Sequence, residues 1–248
     1  MTHSTALAQV VGALAAACAV VTAESAAELP LEGGGPTEPA LIQRFLESGS
    51  PELRSYTARR RLIASTGGGM HAQLEAWTSL DDTGHFRFEV VCSHGSGLIR
   101  SRVLVAALEA EQQSRTQGDL AWAALTAENY TLALGSVRPA GFREIRLTPR
   151  RKSRLLVHGH ALVHEPGGDM VRVEGRLSEN PSWWTRRVDV VRRYERIGGV
   201  RVPVEMTSTA DVRIAGMSTF AMRYDYTAIN GRRVSTPASA ACSTGESG

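Results

Sequence analysis

From Phe142 to Thr227 the chain is a succession of apolar–polar alternations punctuated by glycine. A period of two sends successive side chains to opposite faces of a strand, and no helix satisfies it. The segments 142–148, 154–164, 169–177, 187–197, 200–207, 208–215 and 217–227 therefore read as strands. Gly167-Gly168, Gly198-Gly199 and Ala215-Gly216 join neighbouring segments through links short enough for antiparallel hairpins. A chain dominated by consecutive hairpins has to build one large antiparallel sheet or barrel.

The first half extends this pattern and adds helices. Segments 55–64, 70–80 and 86–92 form a predicted meander, turned at Gly67-Gly68-Gly69 and at Asp81-Asp82-Thr83-Gly84, and 129–137 adds another strand. Thr37 is positioned to cap a helix that starts near Pro39, places Leu41, Ile42, Phe45 and Leu46 on one face and ends at Gly49. Residues 97–113 are rich in good helix formers and suit a strongly apolar helix, and 119–129 suits a second short helical piece. About eleven strands make a large curved sheet, and its apolar concave face cannot stay in water. The expected class is mainly β (α+β), a curved antiparallel sheet forming an incomplete barrel covered by helices.

Composition is that of an ordinary globular protein, 42% hydrophobic and 21% charged, and 248 residues suit one large β domain or two small ones. The formal net charge is +3, and Lys152 is the only lysine. Arginine clusters at 59–61, 150–152 (with Lys152) and 192–193 are interleaved with acids and accompany no nucleic-acid motif. They read as solvated basic faces, and no nucleic-acid partner is expected. Val10 to Ala23 is an uncharged apolar run, shorter than the ~20 residues of a spanning helix. Ser25 and Ala27 after it fit small-x-small cleavage, so residues 1–27 read as a secretory signal peptide. Cleavage after Ala23 and a lipobox at Cys18 are the alternatives. A linker follows at 28–37, then one domain at 38–231, and a Ser/Thr/Ala-rich tail at 232–248 reads as disordered. Cys92 and Cys242 remain after cleavage; an oxidising compartment permits a bridge, and two free thiols are the simpler reading.

Three features could carry chemistry. His158, His160 and His164 share one face of a strand whose other face is Leu155, Val157, Gly159, Ala161 and Val163. The apolar side packs inward, which makes the histidine side a wet face, and a metal-dependent hydrolase built on it is the alternative. No third-ligand spacing, GxSxG elbow or phosphate loop accompanies it, and no cofactor is expected. Trp183 and Trp184 follow a turn at Asn180-Pro181-Ser182 and are predicted to point to opposite faces of a strand, one inward and one to a rim. Phe220, Met222, Tyr224 and Tyr226 alternate against polar neighbours as a concave-face row, with Leu98, Ile99, Val105 and Leu108 as its cover. Pro203 within "VRVPVE" predicts an edge or bulged strand.

The text "NYTLAL", then "LTPRRKSRLLVHGHALVHEPGGDMVRVEGRLSENPSWWTRRVDVVRRYERIGGVRVPVEMTSTADVRIAG", then "MRYDY", spanning Asn129 to Gly231, resembles secreted bacterial proteins of the lipoprotein-carrier (LolA/LolB-like) family. The resemblance implies a curved sheet of about eleven strands under a helical lid, a hydrophobic cavity for acyl chains, a periplasmic location peripheral to the membrane, and no catalytic residue set. It implies lipid or lipoprotein acyl chains as partners. Phe45, Leu98, Val105, Trp183, Trp184, Phe220, Met222 and Tyr224 are the expected ligand-binding residues. An envelope sensor or protein-interaction module on the same fold is the other non-enzymatic reading.

Overall fold

The computed structural model describes residues 38–48, 51–117, 123–165, 167–213 and 216–234. Among the described residues there are two long helices, a 3-10 turn at Pro139–Gly141 and eleven strands: α1 Glu38–Glu47, β1 Tyr56–Ser65, β2 His71–Leu80, β3 Phe86–Gly95, β4 Tyr130–Arg138, β5 Phe142–Pro149, β6 Val157–His164, β7 Asp169–Leu177, β8 Thr185–Ile197, β9 Val200–Val212, β10 Gly216–Ile229 and β11 Arg232–Arg233. Between β3 and β4 lies α2, which runs continuously through an α-turn at Gly97–Ile99, a π-helical stretch at Arg100–Val105 and an α-helix at Ala106–Gln117.

One antiparallel sheet takes the order β3-β2-β1-β10-β9-β8-β7-β6-β5-β4, with β11 added to β10. Every neighbour in that order is also a sequence neighbour except β1 and β10. The sheet does not close, so β3 and β4 are its two edges. Because those edges are consecutive in the chain, their connection has to cross a face of the sheet. α2 makes that crossing and packs on β1, β2 and β3, while α1 packs on β4 and β7.

Curvature has local causes. Register shifts occur at Thr57/Ala58, Glu75/Ala76, Leu134/Val137, Leu162/Val163 and Arg193/Tyr194, and bulges of this kind bend a strand. Gly159 and Gly175 face each other across β6 and β7. A Cβ on Gly159 would stand 2.0 Å from the Glu174 carbonyl oxygen, so only glycine permits this approach of the two backbones. The concave face carries the core, including Ala58 and Leu62 of β1, Leu74 of β2, Met206 of β9 and Met222 of β10, all at 1% exposure or less.

Several expectations are corrected. Residues 200–215 do not contain two strands; β9 runs unbroken from Val200 to Val212. Residues 124–129 form turns and bends instead of helix, since Asn129 and Tyr130 amides both return to the Thr126 carbonyl. Arg232 and Arg233, expected in a disordered tail, pair with Ile229 and Ala228. Pro203 sits in a central strand, opposite Tyr194 just past a register shift, so the bulge reading holds and the edge reading does not. Cys92 is disulfide-bonded, against the simpler reading of a free thiol, and its partner lies outside the described residues. The signal peptide, linker, Thr37 cap and Gly49 stop also lie outside them. Among the described residues no helix is long and apolar enough to cross a membrane.

Candidate functional site

The concave face of β1, β2 and β10 under α2 is the candidate site. β10 contributes Phe220, Met222, Tyr224 and Tyr226, all buried, as their alternation predicted. α2 covers them with Ile99, Val103, Leu104, Ala107 and Leu108, which recur at helical spacing and are likewise buried.

One charged group lies inside this apolar face. Arg60 shares parity with Tyr56, Ala58, Leu62 and Ala64, so the pleat of β1 turns it inward, and it is 1% exposed. Its guanidinium donates to Glu111 of α2 at 2.5 Å and 3.1 Å, and to the Tyr56 hydroxyl. Glu111 also accepts from Arg115 at 3.2 Å and 3.3 Å. The Arg60 guanidinium carbon stands 4.5 Å from the Tyr224 ring centroid and 5.0 Å from that of Phe86, within cation–π range. Burial opposes the charge on Arg60, but Glu111 and the two tyrosines outweigh it and hold the pKa well above its ordinary value. Burial likewise opposes ionisation of Glu111, and Arg60 and Arg115 outweigh it, leaving the carboxyl below its usual range. The pair stays ionised and joins lid to sheet. The expectation of solvated basic faces is therefore wrong for Arg60, and also for Arg192 of the 192–193 run, which is 5% exposed on the inward side of β8. Arg59 and Arg61 do face outward, where they hold Glu75 between them.

At one end of the lid, Ala64, Ile99, Val103, Ala210 and Phe220 enclose a recess of about 20 Å³, ringed by hydroxyls of Ser65, Thr66, Ser208, Ser218 and Thr219. That is room for about one water. The buried Thr66 and Ser218 hydroxyls have no hydrogen-bond partner among the described residues.

The other expected binding residues divide. Phe45 is buried on α1, and Val105 is half-buried and packed against the core. Leu98 is 51% exposed and does not cover the β10 row; it sits on the outward side of the first turn of α2. Trp183 and Trp184 do not point to opposite faces of a strand. They lie in the turn before β8 with their rings packed against each other, Trp184 touching the core and Trp183 69% exposed. The histidines face outward as expected. His160 donates to Glu174 at 2.7 Å and lies 3.6 Å from Glu144, while His164 packs edge-on against Phe142. No group of three His, Cys, Asp or Glu among the described residues could hold a metal ion.

Arg60 and Glu111 are the residues that sequence reasoning missed. The signal was present: Arg60 occupies an inward position of a period-two pattern, and Glu111 continues the buried helical stripe Leu104–Leu108. Two opposite charges at inward positions of two different elements are a candidate buried pair.

No protein-family model matches this chain, and no curated protein matches it. Solved structures similar to it include a LolA superfamily protein from Nitrosomonas europaea, 13% identical, with a TM-score of 0.41 over 77% of this chain and 92% of that one. A DUF1329 family protein from Desulfovibrio piger is 10% identical, with a TM-score of 0.41 over the same shares of each chain.

Proposed function

We propose that this chain is a periplasmic, non-catalytic carrier that holds the acyl chains of a lipid or lipoprotein between its sheet and α2. The observation that carries the reading is the apolar β10 row lying under a helix that crosses an open sheet. The periplasmic location rests on the secretory character of residues 1–27.

The recess of about 20 Å³ is too small for an acyl chain, so a chain entering at this end of the lid would have to displace α2 from the sheet. Separating a buried ion pair costs about 3–5 kcal/mol when one charge is left uncompensated. Each buried methylene contributes about 0.8 kcal/mol. Burying roughly four to six methylenes therefore offsets the opening of the Arg60–Glu111 pair, and a longer chain holds the lid displaced. Binding of this kind reads apolar length and volume. Phe45, Val105, Phe220, Met222 and Tyr224 would line the acyl site, with Leu98 and the Trp183–Trp184 turn at its outer margin.

Native mass spectrometry of protein prepared from periplasm without detergent tests this. The expected spectrum shows an added mass of a lipid, lost in denaturing solvent. A bare polypeptide mass, together with no uptake of a fluorescent fatty acid, refutes carriage and leaves the protein-interaction reading.

A further inference from the structure

On the convex side, at the strand ends where the β7–β8 link also lies, the β5–β6 loop borders an open cleft of about 760 Å³. That is within the size range of small-ligand sites. The loop supplies Arg150, Arg151 and Lys152. The floor is a cross-strand row in register, His158 of β6 beside Arg176 of β7 beside Asp189 of β8, with Arg187 two residues along. Five residues with permanent cations and one with a carboxylate thus line the cleft, and that carboxylate is held by Arg187 at 2.5 Å. The formal surplus is 5 − 1 = +4, whereas the whole chain carries +3. The rest of the molecule therefore sums to −1, and the cleft concentrates the entire positive excess.

Elsewhere some outward arginines are paired, Arg138 with Glu144, Arg172 with Glu174, Arg196 with Asp169 and Arg223 with Glu205. Exposed arginines without an ion pair among the described residues, such as Arg54, Arg87, Arg102 and Arg146, are scattered; the cleft differs in gathering several cations on one opening. In the cleft, the side chains of Lys152 and Arg176 have neither ion pair nor hydrogen bond among the described residues. Two of the loop guanidiniums donate to neutral acceptors that hold them in place. Arg150 donates through Nε to the carbonyls of Ala127 at 2.8 Å and Tyr130 at 3.2 Å, and Arg151 donates to Asn129 Oδ1 at 2.8 Å. Anchored forks beside unpaired cations are suited to an oxyanion that accepts several hydrogen bonds at once.

We infer that this cleft binds phosphate groups, the chemistry shared by soluble phosphate esters and by anionic lipid headgroups. Trp183, exposed in the link between the cleft residues Ser178 and Arg187, places an amphipathic ring where a lipid surface would meet it. The inference does not depend on acyl carriage by the concave face.

The test uses the full chain and two probes: inorganic pyrophosphate, followed by calorimetry, and vesicles of phosphatidylcholine with or without phosphatidylglycerol, followed by co-sedimentation. The comparison variant is Lys152→Gln/Arg176→Gln, which removes no partner and should leave the melting temperature unchanged. Binding to the anionic probe should fall roughly 25-fold, about fivefold per cation, and Lys152→Arg/Arg176→Lys should restore it. Phosphatidylglycerol-dependent sedimentation displaced by pyrophosphate identifies a headgroup site. Pyrophosphate binding without vesicle binding identifies a soluble phosphate site. The inference is overturned if neither probe binds, or if the folded double Gln variant binds as well as the parent.

Discussion

Glu111→Gln is the substitution that most directly probes how the lid is held. It keeps the shape of the side chain and removes its charge. Arg60, 1% exposed, and Arg115 would then share an uncharged acceptor in place of a carboxylate. Because the pair is fully buried, solvent screening does not reduce the effect as it does at a surface. Breaking such a pair from one side costs about 3–5 kcal/mol. For a domain of this size that lowers Tm by roughly 10 °C. Urea unfolding at neutral pH should show the loss as a lower midpoint with an unchanged slope. The double variant Arg60→Met/Glu111→Leu removes both charges and should be less destabilised than the sum of its single variants by at least about 2 kcal/mol. The pH dependence has a definite sign. Glu111 is depressed in the folded state, so its stabilisation is complete above the ordinary glutamate value of about 4.3 and is lost as pH falls from there through the folded value. A Glu111→Gln protein within about 0.5 kcal/mol of the parent, or a double variant as unstable as the two singles combined, would refute the reasoning.

Other outcomes follow from the same structure. Gly159→Ala should cost about 3 kcal/mol or more in thermal unfolding, because its Cβ meets the Glu174 carbonyl at 2.0 Å and neither backbone can retreat; a neutral effect would mean that β6 and β7 separate freely. Leu104→Ala, at a fully buried position under the lid, should lower stability by about 2–5 kcal/mol in denaturant titration, and a loss below about 1 kcal/mol would mean that the lid is loosely packed. His160→Ala should change stability by less than about 1 kcal/mol, since its pairing with Glu174 is partly exposed. Elemental analysis should find no stoichiometric zinc, and one zinc per chain that disappears in that variant would restore the metal reading.

How much was legible in the sequence depends on the range of the interaction concerned. Alternation along β10 placed Phe220, Met222, Tyr224 and Tyr226 on one face before any strand partner was known, and it put the three histidines on the opposite side of β6 from Val157, Ala161 and Val163. Hairpin turns fixed most strand neighbours, because consecutive antiparallel strands need only local chain reversal. The need to cover a large apolar concave face led to the helical lid. Those results rest on period and solvation, which are properties of short segments.

Tertiary structure decided what period alone cannot. β1 pairs with β10 across more than 150 residues, and this non-local contact turns a set of hairpins into one sheet with β3 and β4 at opposite edges. Trp183 and Trp184 left the strand because β8 starts only at Thr185, so their rings pack on each other and the alternation argument does not reach them. Within the run Arg59-Arg60-Arg61 the sequence offers three identical charges, yet Glu75 holds the outer two on the convex face and Glu111 holds the middle one in the core. A buried arginine is tolerated only where a counter-charge reaches it, and that counter-charge comes from a helix about fifty residues downstream. The outward cleft has a more local origin: Arg150, Arg176 and Arg187 lie on or beside the consecutive strands β5 to β8, and the hairpin registers of those strands align their charges at one end of the sheet.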